Sequence, residues 1–179
     1  MLSQSATLYK KLQKRYSRKI NLDLDRINKA LTKLNYPHLA ISNPINILGS
    51  DGKMSILTSL KYFLEADKKK ITAFTSPHLY DVRHRFWLGN KFISIREIIE
   101  YKKVIEKTKL KLTLFELLTC IYILAAVKTD PDSYNLIESG LLFRLDGTNL
   151  WENPLAQVIT NINYQHMHNS IEKSYCWAC

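Results

Sequence analysis

Disulfides cannot hold this chain together. It has three cysteines, an odd number and too few for a framework. That favours a reducing compartment, and a cytoplasmic location is the expectation. Long apolar runs are missing as well. The longest, Leu117–Val127, is interrupted by Thr119, Cys120 and Tyr122. It falls far short of the roughly 20 residues a membrane-spanning helix needs, and it reads as a buried core helix. No apolar h-region opens the chain, which argues against secretion. Internal repeats and low-complexity linkers are absent. Acidic residues are scarce, 16 Asp+Glu against 26 Lys+Arg, for a formal net charge of +10. The first acid is Asp23, preceded by Lys10, Lys11, Lys14, Arg15, Arg18 and Lys19. A basic, acid-poor start can be a mitochondrial address. Leu8, Leu12, Tyr16 and Ile20 nevertheless repeat at spacing four, as in an ordinary amphipathic helix.

What is present is globular. Hydrophobic residues make up 46% and charged residues 23% of 179 positions, which excludes wholesale disorder and suits one domain with a sizeable core. The positive excess should attract anions such as nucleotides, nucleic acid or acidic metabolites. The bland alternative is a basic protein from an AT-rich genome, so charge alone does not choose.

Periodicity gives the outline. Ser5 to Lys19 and Asp25 to Leu34 read as helices. Pro37 and Pro44 bracket a loop. Ile45–Leu48 is short, mostly apolar and β-branched, as in a strand buried on both faces of a parallel sheet. A Gly-rich turn and a helix carrying Ile56, Leu57, Leu60, Phe63 and Leu64 follow. Ile71–Thr75 is a second strand, at a spacing that suits a right-handed crossover. Arg85–Leu88, Gly89-Asn90 and Lys91–Ile93 form a hairpin. Ser94 with Glu97, and Thr113 with Glu116, have capping-box spacing. Tyr134–Glu138 and Gln157–Ile162 complete an alternating α/β pattern.

The turn Gly49-Ser50-Asp51-Gly52-Lys53 is the most informative unit. Parallel sheets bind ligands beyond the carboxyl ends of their strands. Glycines let backbone N–H groups approach a phosphate, and a helix N-terminus adds about half a unit of positive charge. Lys53 adds a mobile full charge. The strict Walker pattern fails, with Ile47 in place of its first Gly and Met54 in place of its Ser/Thr. The alternative is a tight turn that needs glycine only for positive φ.

Gly49-Ser50-Asp51-Gly52-Lys53-Met54-Ser55 resembles the Gly-Thr-Asn-Gly-Lys-Gly-Ser loop of folylpolyglutamate synthases and dihydrofolate synthases, relatives of the Mur peptidoglycan ligases. Further stretches follow in that family's order. They are Thr75-Ser76-Pro77-His78-Leu79, Thr113-Leu114-Phe115-Glu116-Leu117-Leu118-Thr119, Glu138-Ser139-Gly140-Leu141 with Arg144-Leu145-Asp146-Gly147-Thr148-Asn149, and Ile159-Thr160-Asn161-Ile162 with Gln165-His166-Met167. The segment from Ile20 to Ile27 is also similar. The resemblance implies a three-layer α/β, P-loop-like fold with a mostly parallel sheet, the Mur-ligase central domain, truncated at its C-terminal edge. It implies ATP-dependent addition of glutamate to a pteroate or folate through an acyl phosphate, with Mg²⁺. By position, Asp51, Gly52, Lys53, Met54 and Ser55 would hold ATP. Thr75 or its neighbour Ser76, with Glu138 and His166, would bind Mg²⁺, which favours a few protein oxygens plus phosphate oxygens. Ile20, Asn21 and Leu22, then Thr113, Leu114, Phe115 and Glu116, then Leu145, Asp146 and Gly147, would line the pteroate site.

Each assignment has a plainer alternative. Glu116 can be only a capping carboxylate, His166 a surface histidine, and Asp146 an acceptor of local backbone bonds. His78 and Arg85 can be solvated. Glu138 is harder to dismiss, because an unpaired buried carboxylate is costly. The sequence also departs from the family. Met54 brings a Cβ and a long side chain to the phosphate loop. Leu142 and Phe143 replace paired glycines, which costs about 1–3 kcal/mol each if those positions need positive φ.

Residues 1–168 are expected to be an incomplete ATP-binding domain, 169–179 a divergent tail ending in Cys176 and Cys179, and the C-terminal ligase domain to be absent. A truncated product, from a shifted reading frame or a split or decaying gene, is the expectation. It should be monomeric, without membrane or nucleic-acid partners, and inactive alone. The alternatives are half of a split enzyme with a separately encoded second half, or an anion-binding fragment. Zinc or redox chemistry at His166, His168, Cys176 and Cys179 ranks below an unstructured tail.

Overall fold

Hydroxyl side chains decide where three of the helices begin. In the computed structural model, which describes residues 3–17, 23–140 and 143–161, Ser3 caps α1 (Gln4–Arg15) by accepting from the Ala6 N–H. After α2 (Asp25–Lys33) come β1 (Asn43–Leu48), α3 (Lys53–Ala66), β2 (Ile71–Phe74), β3 (Phe86–Leu88) and β4 (Lys91–Phe92). Ser94 and Glu97 then close a complete capping box on α4 (Ile95–Glu106), and Thr113 and Glu116 do the same on α5 (Leu114–Thr129). The chain continues through β5 (Tyr134–Glu138) and β6 (Ala156–Ile159). Short 3₁₀ turns lie at Pro37–Ala40, Val82–Arg85 and Phe143–Leu145.

The sheet has the order β4-β3-β2-β5-β1-β6. Strands β2, β5, β1 and β6 are parallel, and the β3–β4 hairpin is antiparallel, turning at Gly89 with φ +73°. The crossover through α3 carries β2 past one position, because β5 inserts between β1 and β2. Helix α3 covers one face, packing Leu57 with Ile45, Ile47, Ile71, Ala73 and Leu136. Helix α5 is apolar all round and buried, as a central helix must be. It packs with α1, α2 and α4 over the other face, where Leu12, Ile27, Leu31, Phe74 and Ile98 are almost fully enclosed. This is the expected three-layer α/β arrangement. Among the described residues no helix is long and apolar enough to cross a membrane.

Several boundaries differ from the expectation; those of α2, β2, β3 and β4 move by one residue, and three others move further. Helix α1 stops at Arg15 rather than Lys19. Tyr16 turns extended so that its hydroxyl can donate to Glu106 Oε1 at 2.9 Å, and Ser17 O accepts from the Leu114 N–H at 2.9 Å. Strand β1 starts two residues earlier, at Asn43, because Pro44 needs no ladder donor there and its carbonyl accepts from Leu155. Strand β6 runs from Ala156 to Ile159, and Ile162 lies outside the described residues.

The α5 face contains one buried polar knot. Tyr122 is fully enclosed, with its hydroxyl 2.9 Å from Thr72 Oγ1 and donating to Asn135 Oδ1 at 3.2 Å. Thr72 also donates to Asn135 Oδ1 at 2.6 Å. The Tyr122→Phe variant leaves Thr72 one partner short and is expected to cost about 1–2 kcal/mol in urea unfolding. A change below about 0.5 kcal/mol would mean that the knot adds no stability.

Candidate functional site

Four parallel strands end at one edge of the sheet, and the chemistry-bearing residues gather there. β1 delivers Gly49, whose φ of +128° only glycine adopts readily. The turn then enters α3 through Gly52, at φ +78°. α3 has no side-chain cap and no acidic residue in its first turn, unlike α1, α4 and α5, where a hydroxyl caps the start. The first N–H groups of a helix have no intrahelical acceptor. Among the described residues α2 also lacks a side-chain cap, but Asp25 stands in its first turn, whereas the α3 start, with its dipole and its lysine, is open to an external anion. Lys53 is half-buried and donates to the Gly49 and Ser50 carbonyls at 2.7 and 3.1 Å. Asp51, Gly52, Met54 and Ser55 are exposed beside it. Met54 thus points its side chain toward solvent, and a shallow groove of about 400 Å³ runs along Gly52, Ser55 and Ile56 to Ile159.

Glu138 closes β5 on the α3 side of the sheet, in register with Ile47 of β1. It is 4% exposed. One carboxylate oxygen accepts the Ser76 N–H at 2.9 Å. Burial pushes its pKa up, and the Ser76 N–H, Lys53 and Arg85 pull it back down. Asp146 is buried too. It accepts from the Thr148 N–H at 3.0 Å, from the Thr148 hydroxyl and from the Gly140 N–H. Burial raises its pKa, opposed by those bonds and by Lys53. Gly140 is required by proximity, since a Cβ there would collide with the Asp146 carboxylate. Two buried carboxylates thus lie within electrostatic reach of one lysine.

Thr75 and Ser76 occupy the turn after β2. The Thr75 N–H donates to Arg85 O at 3.0 Å, and its hydroxyl donates to His84 O at 3.3 Å. Ser76 is the one whose backbone touches Glu138. Behind them, Arg85 is buried and His78 half-buried. Arg85 is 7% exposed, donates to His78 Nδ1 at 2.9 Å and bonds Tyr9 of α1. Burial lowers the pKa of both Arg85 and His78. The His78 and Tyr9 rings meet edge to face at 4.4 Å.

The segments assigned to pteroate divide. Thr113, Leu114, Phe115 and Glu116 form the cap and first turn of α5. Gly147 lies against them, with its Cβ position 3.6 Å from Glu116 Cγ and from Ile27 Cδ1 and 3.7 Å from Phe115 Cδ1. Leu145 is half-buried beside this group in sequence. Asp146 turns instead toward Gly140 and Thr148. Glu116 does more than cap. Arg26 of α2 holds it with two bonds, 2.7 Å to Oε1 and 3.3 Å to Oε2. Sequence reasoning missed Arg26, because its partner is 90 residues away. Phe143, one of the two glycine replacements, does sit at positive φ, +23°, and is buried. Ile20, Asn21, Leu22, Leu142, His166, Cys176 and Cys179 lie outside the described residues. Among the described residues no three His, Cys, Asp or Glu side chains cluster as a metal group.

No protein-family model matches the chain. Curated relatives do. The dihydrofolate synthetase of Saccharomyces cerevisiae is 34% identical over 156 residues, covering 82% of this chain and 35% of the yeast protein. Among solved structures, Mycobacterium tuberculosis folylpolyglutamate synthase complexed with ADP superposes with a TM-score of 0.75 at 26% identity, covering 88% of this chain and 36% of that one. The bifunctional folylpolyglutamate synthase/dihydrofolate synthase of Yersinia pestis, complexed with AMPPNP and a Mn ion, shares the fold with a TM-score of 0.77 at 24% identity, over 88% of this chain and 38% of that one. The chain therefore spans a little over a third of the length of each of these three proteins. Its sequence, its mostly parallel α/β sheet and its motif order together place it in the folylpolyglutamate synthase/dihydrofolate synthase family.

Proposed function

We propose that this chain is the phosphate-binding portion of an ATP-dependent ligase that joins glutamate to a pteroate or folate carboxylate. The observation that carries this reading is the convergence of Lys53, Glu138 and Asp146 beside the uncapped start of α3. In this reading the N–H groups of the first α3 turn and the Lys53 ammonium bind the nucleotide phosphates. Glu138, with a hydroxyl of the adjoining Thr75-Ser76 turn, would hold Mg²⁺. The fit is chemical: a buried, hydrogen-bonded carboxylate and a hydroxyl are hard oxygen donors, and phosphates and water would complete the shell. When bound, that ion would neutralise charge developing on the transferred phosphoryl group. Burial raises the pKa of Glu138, and the charges of Lys53 and Arg85 oppose that rise. The acceptor acid would lie along Phe115, Glu116 and Gly147, at the far side of Asp146 from the loop. His166, Ile20, Asn21 and Leu22 are assigned to these sites by the family resemblance alone.

Joining glutamate is expected to need the parts of the relatives that this chain does not match, in a longer polypeptide or a separate one. Alone, the 179 residues should bind nucleotide and turn over nothing. The test is calorimetric titration of the chain with ADP, with and without Mg²⁺. Lys53→Ala should weaken binding about 10- to 100-fold, the worth of a charge-assisted bond of about 1.5–3 kcal/mol. Equal affinity in the variant, or no binding of ADP by the wild type at millimolar concentration, would sink the reading. Ligase turnover of dihydropteroate and glutamate would overturn the inactivity.

A further inference from the structure

The Gly49–Lys53 turn is held partly from within, by the Lys53 ammonium on the Gly49 and Ser50 carbonyls. Its other clamps come from the residues just past β6, the strand beside β1. Asn161 takes two donors, with its backbone carbonyl accepting from the Ser50 N–H at 2.9 Å and its side-chain oxygen from the Asp51 N–H at 2.8 Å. The Thr160 hydroxyl reaches both ends of the turn, 3.1 Å from Leu48 O and 2.5 Å from Asp51 O. The Thr160 N–H continues the β1–β6 ladder by donating to Leu48 O at 2.9 Å. Gly49 is pressed so closely against this pair that its missing Cβ would overlap the Thr160 hydroxyl and sit 2.7 Å from Asn161 O.

We infer that Thr160 and Asn161 are positioning residues that preset the Gly49–Lys53 turn for a nucleotide phosphate. The inference rests on the nucleotide reading of that turn. The physical case is entropic. A Gly-Ser-Asp-Gly turn has many accessible conformations, and fixing each residue in one of them costs conformational entropy. If the turn were loose, a ligand would bind only the fraction of chains already in shape, and the apparent affinity would fall by that fraction. Bonds from β6 remove that penalty before the ligand arrives. They also divide the labour of the loop. The Ser50 and Asp51 amides are committed to Asn161, which leaves the start of α3, together with Lys53, to meet the anion.

Three single variants of the full chain test this: Thr160→Val, Thr160→Ser and Asn161→Ala. Each is titrated with ADP, and amide hydrogen exchange is read at Asp51. Thr160→Val keeps the shape and loses the hydroxyl. It should bind ADP about tenfold more weakly, and Thr160→Ser should restore binding to within about twofold. Asn161→Ala should speed exchange of the Asp51 amide and weaken ADP by a similar factor. Circular dichroism and melting of each variant establish that it is folded. A positioning role predicts that the serine variant rescues affinity whatever the small differences in melting temperature. If the wild type binds ADP and all three variants bind it equally well, the clamp is wrong and the nucleotide reading stands. Affinity that falls in Thr160→Val and Thr160→Ser alike also rejects it, since the hydroxyl would then not be the active part. If the wild type binds no ADP while Asp51 exchange still responds to Asn161→Ala, the nucleotide reading falls, and the assignment of these residues to it falls too.

Discussion

Replacing Gly49 with alanine should destabilise the chain by about 4 kcal/mol and abolish ADP binding in the same variant. Two costs add. The residue sits at φ +128°, where a side chain is strained by about 1–3 kcal/mol. The new methyl would also enter space already filled by Thr160 and by the Asn161 backbone, 2.7 and 3.0 Å away. Overpacking against backbone costs about 1–3 kcal/mol more, because neither strand end can rotate aside. Gly52 provides the control. It also has positive φ, +78°, but a Cβ there meets nothing within 4 Å. Gly52→Ala should cost only about 1–2 kcal/mol of stability. It should still weaken ADP, because that open space is where phosphate would approach the backbone. Urea unfolding and ADP titration separate the two variants. Equal stability losses at both positions would mean that packing against β6 contributes nothing.

The second large effect is expected at Arg26. Its guanidinium holds Glu116, whose side chain is 5% exposed, with two hydrogen bonds. The pair raises the Arg26 pKa, chiefly through the Glu116 bond and against the pull of burial. Arg26→Ala strands the Glu116 charge, left with the Thr113 N–H at 2.6 Å and the α5 cap. Removing one partner of a buried pair costs about 3 kcal/mol or more. Replacing both partners by apolar residues, in Arg26→Met with Glu116→Leu, should recover much of that loss, because no charge is then left buried. A double-mutant cycle in urea measures the coupling. A loss below about 1 kcal/mol in Arg26→Ala would mean that water reaches Glu116 freely.

The elements that were legible in the sequence are those governed by neighbours along the chain. Thr113 and Glu116, three residues apart, announced the start of α5, and the capping box is there. Ile45 to Leu48 announced a buried strand, because a mostly apolar, β-branched run suits a parallel sheet covered on both faces. The Gly-Ser-Asp-Gly-Lys turn was legible for the same reason: a short strand, glycines at positive φ and a helix start are all local. Arg85 and His78 were not legible. Nothing near them in sequence says that α1 brings Tyr9 down on them, so a solvated surface was the plainer reading. Asp146 was half legible. Its bond to the Thr148 N–H is a local turn bond, as anticipated, but its bond to Gly140 and the nearby charge of Lys53 depend on tertiary packing.

By itself the sequence determined the alternation of strands and helices, the glycine turn with its lysine, and the motif order that carries the family resemblance. The alternation and the turn follow from side-chain periodicity, capping chemistry and glycine's freedom at positive φ, all set within a few residues; the motif order is a likeness to the family's own sequences. The tertiary structure alone decided that β5 lies between β1 and β2, which brings Glu138 beside Lys53. It also decided that Arg26 neutralises Glu116, and that Thr160 and Asn161 staple a turn more than a hundred residues earlier. Those depend on which surfaces bury one another, and a burial energy spread over many distant contacts leaves no mark at any one position of the chain.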